Sequence, residues 1–522
     1  MNDEKALIAV HPMGEPFPAG IEAAETDGSV DTFGGKIQVK WVPGAAVSSL
    51  GQMPFFIEFL KTSEQFDKWV EECPLQYKSP NAPRKRDVLG TILLSVLSGH
   101  WRYAHISAIR SDGVNPELLG MTKVASEDSV RRALSALEEA ESEQWLRRHL
   151  KASYEPLLDE PWAMDIDTTV KLLYGHQEDA QVGYNPTKPG RPSHAYHSYF
   201  IANLRMVMDV EVQAGNQTAS SYAQPEMWEM LDGLEEQRRP AFVRGDCAWG
   251  TERAMAGAEQ RAIPYLFKLK QSPNAKKLVG KLLKQEGWVD AGQGWEGLES
   301  ELRLTGWSKM RRVVVLRRPL RHSVAEGEKT SKRKRAKQMT LDLGAATHLG
   351  VSYESAVLVT SMGGDVRAIG QHYRDRGDSE NNFDELKNQW GWAGFTTQDR
   401  KRCQVMARIT ALIYNWWTIF MRLGIPDKHA EAVTSRPLAL HGIARRTRHA
   451  NQTTVEITST HAKASLITQA LTRVSGFLKQ IKLNAEQLTQ SGRWRLILSE
   501  AFRVFLNGKA LGSTPRIACA PA

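Results

Sequence analysis

The stretch PWAMDIDTTV, residues 161–170, marks the point where the sequence changes from a helical to a strand-like pattern. Three predicted strands begin here, and a helix, a strand, a second helix and a further strand follow them along the chain. The predicted segments are 162–167, 195–202, 205–213, 219–236, 241–245, 251–261 and 265–270. Helices that alternate with strands in this order predict an α/β domain.

The regions around this domain have different patterns. Residues 1–155 form an N-terminal region with a helical module at about 50–155, where apolar residues recur at helical spacing. Residues 271–360 read as a mostly β insertion that carries a basic run at 332–337. The pattern becomes helical again at 361–425, and 426–522 is expected to be a C-terminal helical region with the basic string Arg445, Arg446 and Arg448.

The composition favours a globular protein that meets a polyanion. The chain has 522 residues, 41% of them hydrophobic, and a formal net charge of +9. A basic surplus attracts nucleic acid. The four cysteines are too far apart in sequence to form a local zinc site or a disulfide framework. The N-terminus has no secretory pattern, and we expect a soluble, cytoplasmic protein.

The segment HYRDRGDSENNFDELKNQW, residues 372–390, carries the most informative pattern for chemistry. An advance of about 100° per residue places Tyr373, Arg376, Glu380 and Lys387 on one helix stripe about 60° wide. Phe383, Leu386 and Trp390 form an adjoining apolar stripe that can anchor the helix. A carboxylate flanked by two cations and a phenol suits phosphoryl chemistry, because carboxylates bind divalent cations and the cations bind phosphate oxygens. The alternative is a solvated face with ordinary ion pairs.

The spacing Tyr-x2-Arg-x3-Glu-x6-Lys resembles the YREK signature of bacterial insertion-sequence transposases with a DDE active site. The resemblance implies a ribonuclease-H-like catalytic core formed by 156–270 and 361–425. Its first carboxylate corresponds to Asp167 in WAMDIDTTV, its second to Asp246 in AFVRGDCAWG, and its third to Glu380. Asp165 is the alternative for the first position, because residues two positions apart on a strand lie on the same face.

The run GHQEDAQVGYNPTKPGRPSHAY, residues 175–196, and the long insertion before Glu380 are similar to the insertion-sequence 1380 group. The resemblance implies two Mg²⁺ ions held by Asp167, Asp246 and Glu380, with Mn²⁺ as a substitute. It implies cut-and-paste chemistry on the DNA ends of a mobile element and on target DNA. It also implies a homodimer on DNA and association with the bacterial nucleoid.

Other roles follow from that resemblance. We expect Tyr373, Arg376 and Lys387 to bind DNA. We expect the helical module at 50–155 to contact phosphates through its cations, or else to be a structural helical cap with a solvated basic face; these cations are Arg84, Lys85, Arg86, Arg131, Arg132, Arg147 and Arg148. A hairpin intermediate requires a flipped base, for which the insertion offers Trp288, Trp295 and Trp307 as stacking partners; the alternative for each is core packing. Two further functions stay open: a catalytically silent, transposase-derived DNA-binding protein, and a nuclease of the same fold that does not join strands.

Overall fold

The computed structural model describes residues 28–40, 42, 44–77, 79–185, 188–320, 344–348, 351–426, 429–458 and 461–512. The chain divides into two compact units, Met1–Ala46 and Val47–Ala522. The described part of the first unit is a hairpin of β1 (Ser29–Thr32) and β2 (Gly35–Gln38). The basic run at 332–337 lies outside the described residues.

The second unit begins with a helical region. Its elements are β3 (Val47–Ser48), α1 (Met53–Ser63), α2 (Gln65–Glu71), α3 (Lys85–Leu97), α4 (Asn115–Leu118), α5 (Glu127–Ala136) and α6 (Glu139–Tyr154). Ser126 caps α5 by accepting a hydrogen bond from the Ser129 amide at 3.3 Å. The segment from Ser126 to Leu150 contains two helices, because the chain is extended at Leu137 and Glu138 between α5 and α6.

A large mixed sheet follows, with helices between its strands. Its elements are β4 (Ala163–Leu172), β5 (Gln181–Val182), β6 (Pro192–Ile201), β7 (Met206–Ala214), α7 (Ser220–Asp232), β8 (Phe242–Gly245), α8 (Glu252–Gln260), β9 (Tyr265–Lys268), α9 (Pro273–Leu282), β10 (Val289–Gly292), β11 (Trp295–Leu302), β12 (Arg311–Pro319), β13 (Gly344–His348) and β14 (Val351–Thr360). The predicted order of strands and helices is present in the structure.

The sheet joins two sets of strands. In the first set, β4 lies between β6 and β8; it runs antiparallel to β6 and parallel to β8, β8 is parallel to β9, and β7 pairs with the other side of β6. In the second set, β14 pairs antiparallel with β9, and β12, β11 and β10 follow outward. The strands of the predicted insertion therefore extend the same sheet, because β14 satisfies the free edge of β9.

The last region contains α10 (Val366–Arg374), α11 (Arg376–Asn388), α12 (Arg400–Gly424), α13 (Ala432–Leu440), β15 (Ile443–His449), β16 (Gln452–Thr458), α14 (Ala464–Leu483) and α15 (Gln490–Ala501). The hairpin of β15 and β16 was not predicted. Helix α12 is largely buried and covers the outer edge of β7, where Asn415 and Gln404 bond backbone groups of the strand. None of the described helices has the length and apolar character needed to cross a membrane.

Candidate active site

Two of the predicted carboxylates lie on neighbouring parallel strands, Asp167 in the middle of β4 and Asp246 just after the end of β8. The register of β4 and β8 pairs Asp165 with Arg244 and Ile166 with Gly245. The next residues along each chain are Asp167 and Asp246. Because parallel neighbours lie about 4.8 Å apart, the register places these two aspartates side by side at one edge.

Asp165 has a different environment from Asp167. Its carboxylate is completely buried and accepts hydrogen bonds from Arg244 at 2.5 and 2.7 Å and from the Ser379 hydroxyl. The side chain of Asp167 is 24% exposed. The Asp165 carboxylate is therefore paired with Arg244 inside the protein, whereas the partly exposed Asp167 carboxylate can contact a ligand. Sequence reasoning missed Arg244, although an arginine inside the apolar strand AFVRG is a signal for a buried partner.

Arg376 connects Glu380 on α11 to Asp167 on β4. The Arg376 guanidinium donates to Glu380 at 2.5 Å and to Asp167 at 3.3 Å. The Arg376 side chain is only 6% exposed, while that of Glu380 is 43% exposed. One buried cation thus bridges two of the three predicted carboxylates.

The charges of these groups influence one another. Burial raises the pKa of Asp167 to about 6; Arg376 opposes this shift, and the neighbouring charges of Asp246 and Glu380 add to it. Burial disfavours the charge on Arg376, but Asp167 and other acidic neighbours hold its pKa above the usual value. Arg376 therefore offsets only part of the repulsion among the carboxylates. A further cation bound beside them would reduce the remaining repulsion.

Tyr373 and Lys387 lie close to the same carboxylates. Tyr373 is 9% exposed, and burial raises its pKa. Its hydroxyl makes no hydrogen bond within the described part of the chain. Burial lowers the pKa of Lys387, against the attraction of Asp384 and Asp167. Lys387 is partly exposed and can meet a ligand there, whereas the Tyr373 hydroxyl is buried.

The apolar stripe anchors the helix as predicted. Phe383, Leu386 and Trp390 are buried. The Phe383 ring lies 5.1 Å from that of Phe200 on β6, and the Trp390 ring lies 5.6 Å from that of Tyr414 on α12. The predicted single helix is assigned as α10 and α11, but Asp375 between them keeps helical backbone angles. Tyr373 therefore lies on α10, whereas Arg376, Glu380 and Lys387 lie on α11.

The residues at this edge fit a divalent metal. Asp167, Asp246 and Glu380 offer only carboxylate oxygens, which are the ligands that Mg²⁺ and Mn²⁺ prefer. The raised pKa of Asp167 reflects a burial and charge repulsion that a cation would relieve. The three carboxylates could hold such an ion.

A second acidic cluster lies elsewhere in the structure. Glu143, Glu211 and Glu226 have ligand atoms within 4.8 Å of one another. Arg147 lies among them, at 2.9 Å from Glu143, 3.0 Å from Glu211 and 2.6 Å from Glu226. Burial raises the pKa of Glu211 to about 8, with Glu226 and Asp209 adding to the shift. We interpret this cluster as an ion-paired network between α6, β7 and α7.

The three tryptophans of the insertion have different exposures. Trp307 is 7% exposed and packs into the core, with Arg311 over its ring. Trp288 and Trp295 are half-buried. The guanidinium of Arg317 lies 3.9 Å from the Trp288 ring centre, and that of Arg318 lies 4.7 Å from the Trp295 ring centre. Trp288 and Trp295 therefore combine an aromatic face with a cation.

Several basic residues of the helical module contact the protein itself. Arg84 and Arg86 donate to backbone carbonyls of Gly120 and Leu119, and Lys85 donates to that of Cys73. Arg148 pairs with Glu72. These contacts favour a structural contribution from the cations that sequence reasoning assigned to DNA phosphates.

The comparisons with known proteins show a transposase family. The family described as Transposase DDE domain group 1 matches residues 36–478. No curated protein matches the sequence with significance. A solved structure, the cryo-EM structure of piggyBac transposase synaptic complex with hairpin DNA, is similar at 10% identity and a TM-score of 0.33, over 87% of this chain and 85% of that one. Because the family match extends over most of the sequence, this chain belongs to the DDE transposase domain family, group 1.

Proposed function

We propose that this protein is an active DNA transposase that cleaves and transfers DNA strands with Asp167, Asp246 and Glu380. The observation that carries the proposal is the bridge formed by Arg376, which joins Asp167 on β4 to Glu380 on α11 at the strand edge where Asp246 also lies. The middle of β4, the end of β8 and helix α11 thereby contribute one carboxylate each. Asp165 has no part in this site, because Arg244 and Ser379 occupy its oxygens.

The strand order supports a ribonuclease-H-like catalytic core. The order β7, β6, β4, β8, β9, with the first three antiparallel and the last three parallel, is the arrangement expected from the resemblance. In this reading the core comprises 156–270 and 361–425, the strands of 271–360 widen its sheet, and the YREK signature lies on α10 and α11. We also assign the chain to the insertion-sequence 1380 group, because of the similarity in residues 175–196 and the long insertion before Glu380.

We propose that Asp167, Asp246 and Glu380 hold two Mg²⁺ ions, which Mn²⁺ can replace. Bound there, the metal supplies Lewis-acid chemistry and lowers the pKa of an attacking water or 3′-hydroxyl. The three carboxylates are partly exposed and lie next to buried cationic groups. The site can thus admit a phosphodiester while excluding much of the surrounding water.

Arg376 and Lys387 bind phosphate oxygens of the DNA in this proposal. The Nε atom of Arg376 has no partner within the described residues, and the guanidinium contacts the carboxylates that the scissile phosphate must approach. Arginine can bind a phosphate through two parallel hydrogen bonds, while lysine supplies a point charge. The unpaired hydroxyl of Tyr373 can donate a hydrogen bond to the same strand.

We propose a cut-and-paste reaction on the ends of the mobile element. Water first opens one strand at each end, and the freed 3′-hydroxyl attacks the opposite strand, which closes a hairpin and releases the flanking DNA. A second water opens the hairpin and frees the 3′-hydroxyl again, which then attacks the target. Each step is an in-line displacement at phosphorus, so one set of carboxylates can serve all of them. Trp288 and Trp295 are our candidates for stacking on a flipped base, whereas burial favours core packing for Trp307. Bringing two ends together requires at least a dimer on DNA.

A reconstitution experiment tests the proposal. The protein is incubated with Mg²⁺ and a plasmid that carries the DNA flanking its own gene on both sides of a marker. We expect excised marker DNA and products joined to a target plasmid. Cleavage without joining would indicate a nuclease. Binding without either reaction would indicate a catalytically silent DNA-binding protein.

A further inference from the structure

The hairpin of β15 and β16 is a regular two-stranded ribbon. Its strands pair without interruption from Ile443 opposite Thr458 to His449 opposite Gln452. Ala450 and Asn451 form the turn, and both have positive φ values, of 46° and 62°. A two-residue turn with positive φ at both positions matches the twist of the paired strands. The ribbon is therefore continuous and about 23 Å long, at about 3.3 Å per residue.

The ribbon presents polar and cationic side chains on both faces. Arg445, Arg448 and His449 are exposed, as are most residues of β16. The outer part has the sequence RTRHANQTT, residues 446–454, which contains no large apolar side chain and no acid. An element this exposed and this polar does not serve a hydrophobic core. Its charge complements a polyanion.

The base of the ribbon is fixed to the rest of the protein. Ala444 is buried and pairs with Ser48 of β3, and Arg446 forms an ion pair with Glu117 of α4. Within the described part of the chain, neither Arg445 nor Arg448 forms an ion pair. Arg445 lies at this base, opposite Val47 of β3 and Glu456 of β16 in the register, whereas Arg448 lies on the projecting part. Both cations are exposed on a rigid support.

The ribbon is also connected to the helix that carries Glu380. Helix α13 leads directly into β15, and its first amide, at Ala432, donates to the Glu385 carboxylate on α11 at 2.9 Å. Arg436 of α13 also donates to the Gln389 carbonyl just after α11. These contacts fix the ribbon relative to the candidate active site. A duplex bound to the ribbon would keep a fixed relation to the carboxylates.

We propose that the β15–β16 hairpin enters the major groove of duplex DNA next to the cleavage site, an inference that rests on the proposed function. The major groove is about 12 Å wide and admits a two-stranded β-ribbon. Arg445 and Arg448 bind phosphates or guanine edges there, and the threonine, asparagine and glutamine side chains offer further hydrogen bonds. The competing occupant is a second copy of this chain, paired with the free edge of β16.

The test compares the full-length wild type with three double variants. R445A/R448A removes both available ribbon cations, and R445K/R448K keeps the charge without the planar fork. K479A/R503A is the matched control, because it removes two exposed cations from α14 and from the segment after α15. The probe is a labelled duplex about four helical turns long, taken from the DNA flanking the gene, beside a scrambled duplex. Binding is measured without divalent metal over a range of salt concentrations.

We expect R445A/R448A to bind the flanking duplex at least about tenfold more weakly and to reduce the salt slope by about 2. The control should change affinity by less than about twofold. R445K/R448K should retain binding but lose discrimination against the scrambled duplex. Wild-type affinity in R445A/R448A would overturn the inference, and so would unchanged DNA binding with a changed oligomeric state.

A parallel cleavage assay with Mg²⁺ separates this inference from the proposed function. If the wild type cleaves the flanking duplex and R445A/R448A binds it normally, the ribbon inference alone is wrong. If the wild type binds without cleaving and R445A/R448A loses binding, the ribbon inference stands and the proposed function is wrong. If the wild type binds no duplex, both are wrong.

Discussion

The Arg376 guanidinium donates to the Asp167 carboxylate over 3.3 Å, although the two residues are 209 positions apart. This contact fixes the start of α11 to the centre of β4. The same guanidinium also holds Glu380. Arg376 therefore joins two of the candidate carboxylates across elements, alongside the contacts of Ser379 and Phe383 that also hold α11 against the sheet, and substitution of Arg376 tests the geometry of the site.

Arg376→Lys should reduce DNA cleavage at least tenfold while leaving the net charge unchanged. Lysine cannot bridge Asp167 and Glu380 or bind a phosphate with two parallel hydrogen bonds. Cleavage rate and the salt dependence of DNA binding should both be measured. Near-wild-type values in both measurements would show that Arg376 serves only as an ion-pair partner on the helix.

Glu380→Gln should abolish cleavage and preserve binding to the element ends. The substitution keeps the shape of the side chain but removes a charge that a divalent metal needs. A gel-shift assay and a cleavage assay on the same preparation provide the measurement. Loss of both activities, together with a lower melting temperature, would instead assign Glu380 a role in folding.

Asp165→Asn and Asp167→Asn should have opposite effects. Asp165→Asn leaves Arg244 buried with a weaker partner, so we expect it to destabilise the protein by about 3 kcal/mol. Asp167→Asn should abolish cleavage with a much smaller effect on stability, since its side chain is partly exposed. Denaturant unfolding and cleavage assays on both variants decide the matter. Full cleavage by Asp167→Asn would show that Asp165, and not Asp167, is the first catalytic carboxylate.

Glu211→Gln should remove part of the pH dependence of stability. The folded-state pKa of Glu211 is raised to about 8, above its usual value of about 4.3. The protonated form stabilises the fold fully below the unfolded-state pKa, and this contribution is lost as pH rises toward 8. The wild type should therefore lose stability between about pH 5 and pH 8 relative to the variant. Parallel unfolding curves across this range would contradict the prediction.

Trp295→Ala and Trp307→Ala separate a ligand-binding tryptophan from a core tryptophan. Trp307 is nearly buried, so we expect its removal to cost about 3 kcal/mol of stability. Trp295 is half-buried beside Arg318. Its removal should leave the fold stable and slow the step that needs a flipped base. Hairpin formation on a pre-nicked end, followed over time, measures that step, and unchanged rates would assign Trp295 a packing role.

The sequence by itself determined the local elements of the site. The strand order after residue 161 and the apolar stripe beside Glu380 follow from short-range periodicity. These features depend on residues within a few turns of one another, so the pattern of side chains is sufficient. The choice of Asp167 and Asp246 as candidate carboxylates came instead from the resemblance to DDE transposases.

Only the tertiary structure decided which side chains from different elements contact one another. Asp165 and Asp167 are indistinguishable by strand period, and Arg244, 79 positions from Asp165, separates a buried ion pair from an accessible carboxylate. The extension of the sheet by β14 and the ion pairs of Arg147 likewise depend on residues far apart in sequence. Charged groups must find partners when they are buried, and local sequence does not identify partners that the fold brings from a distance.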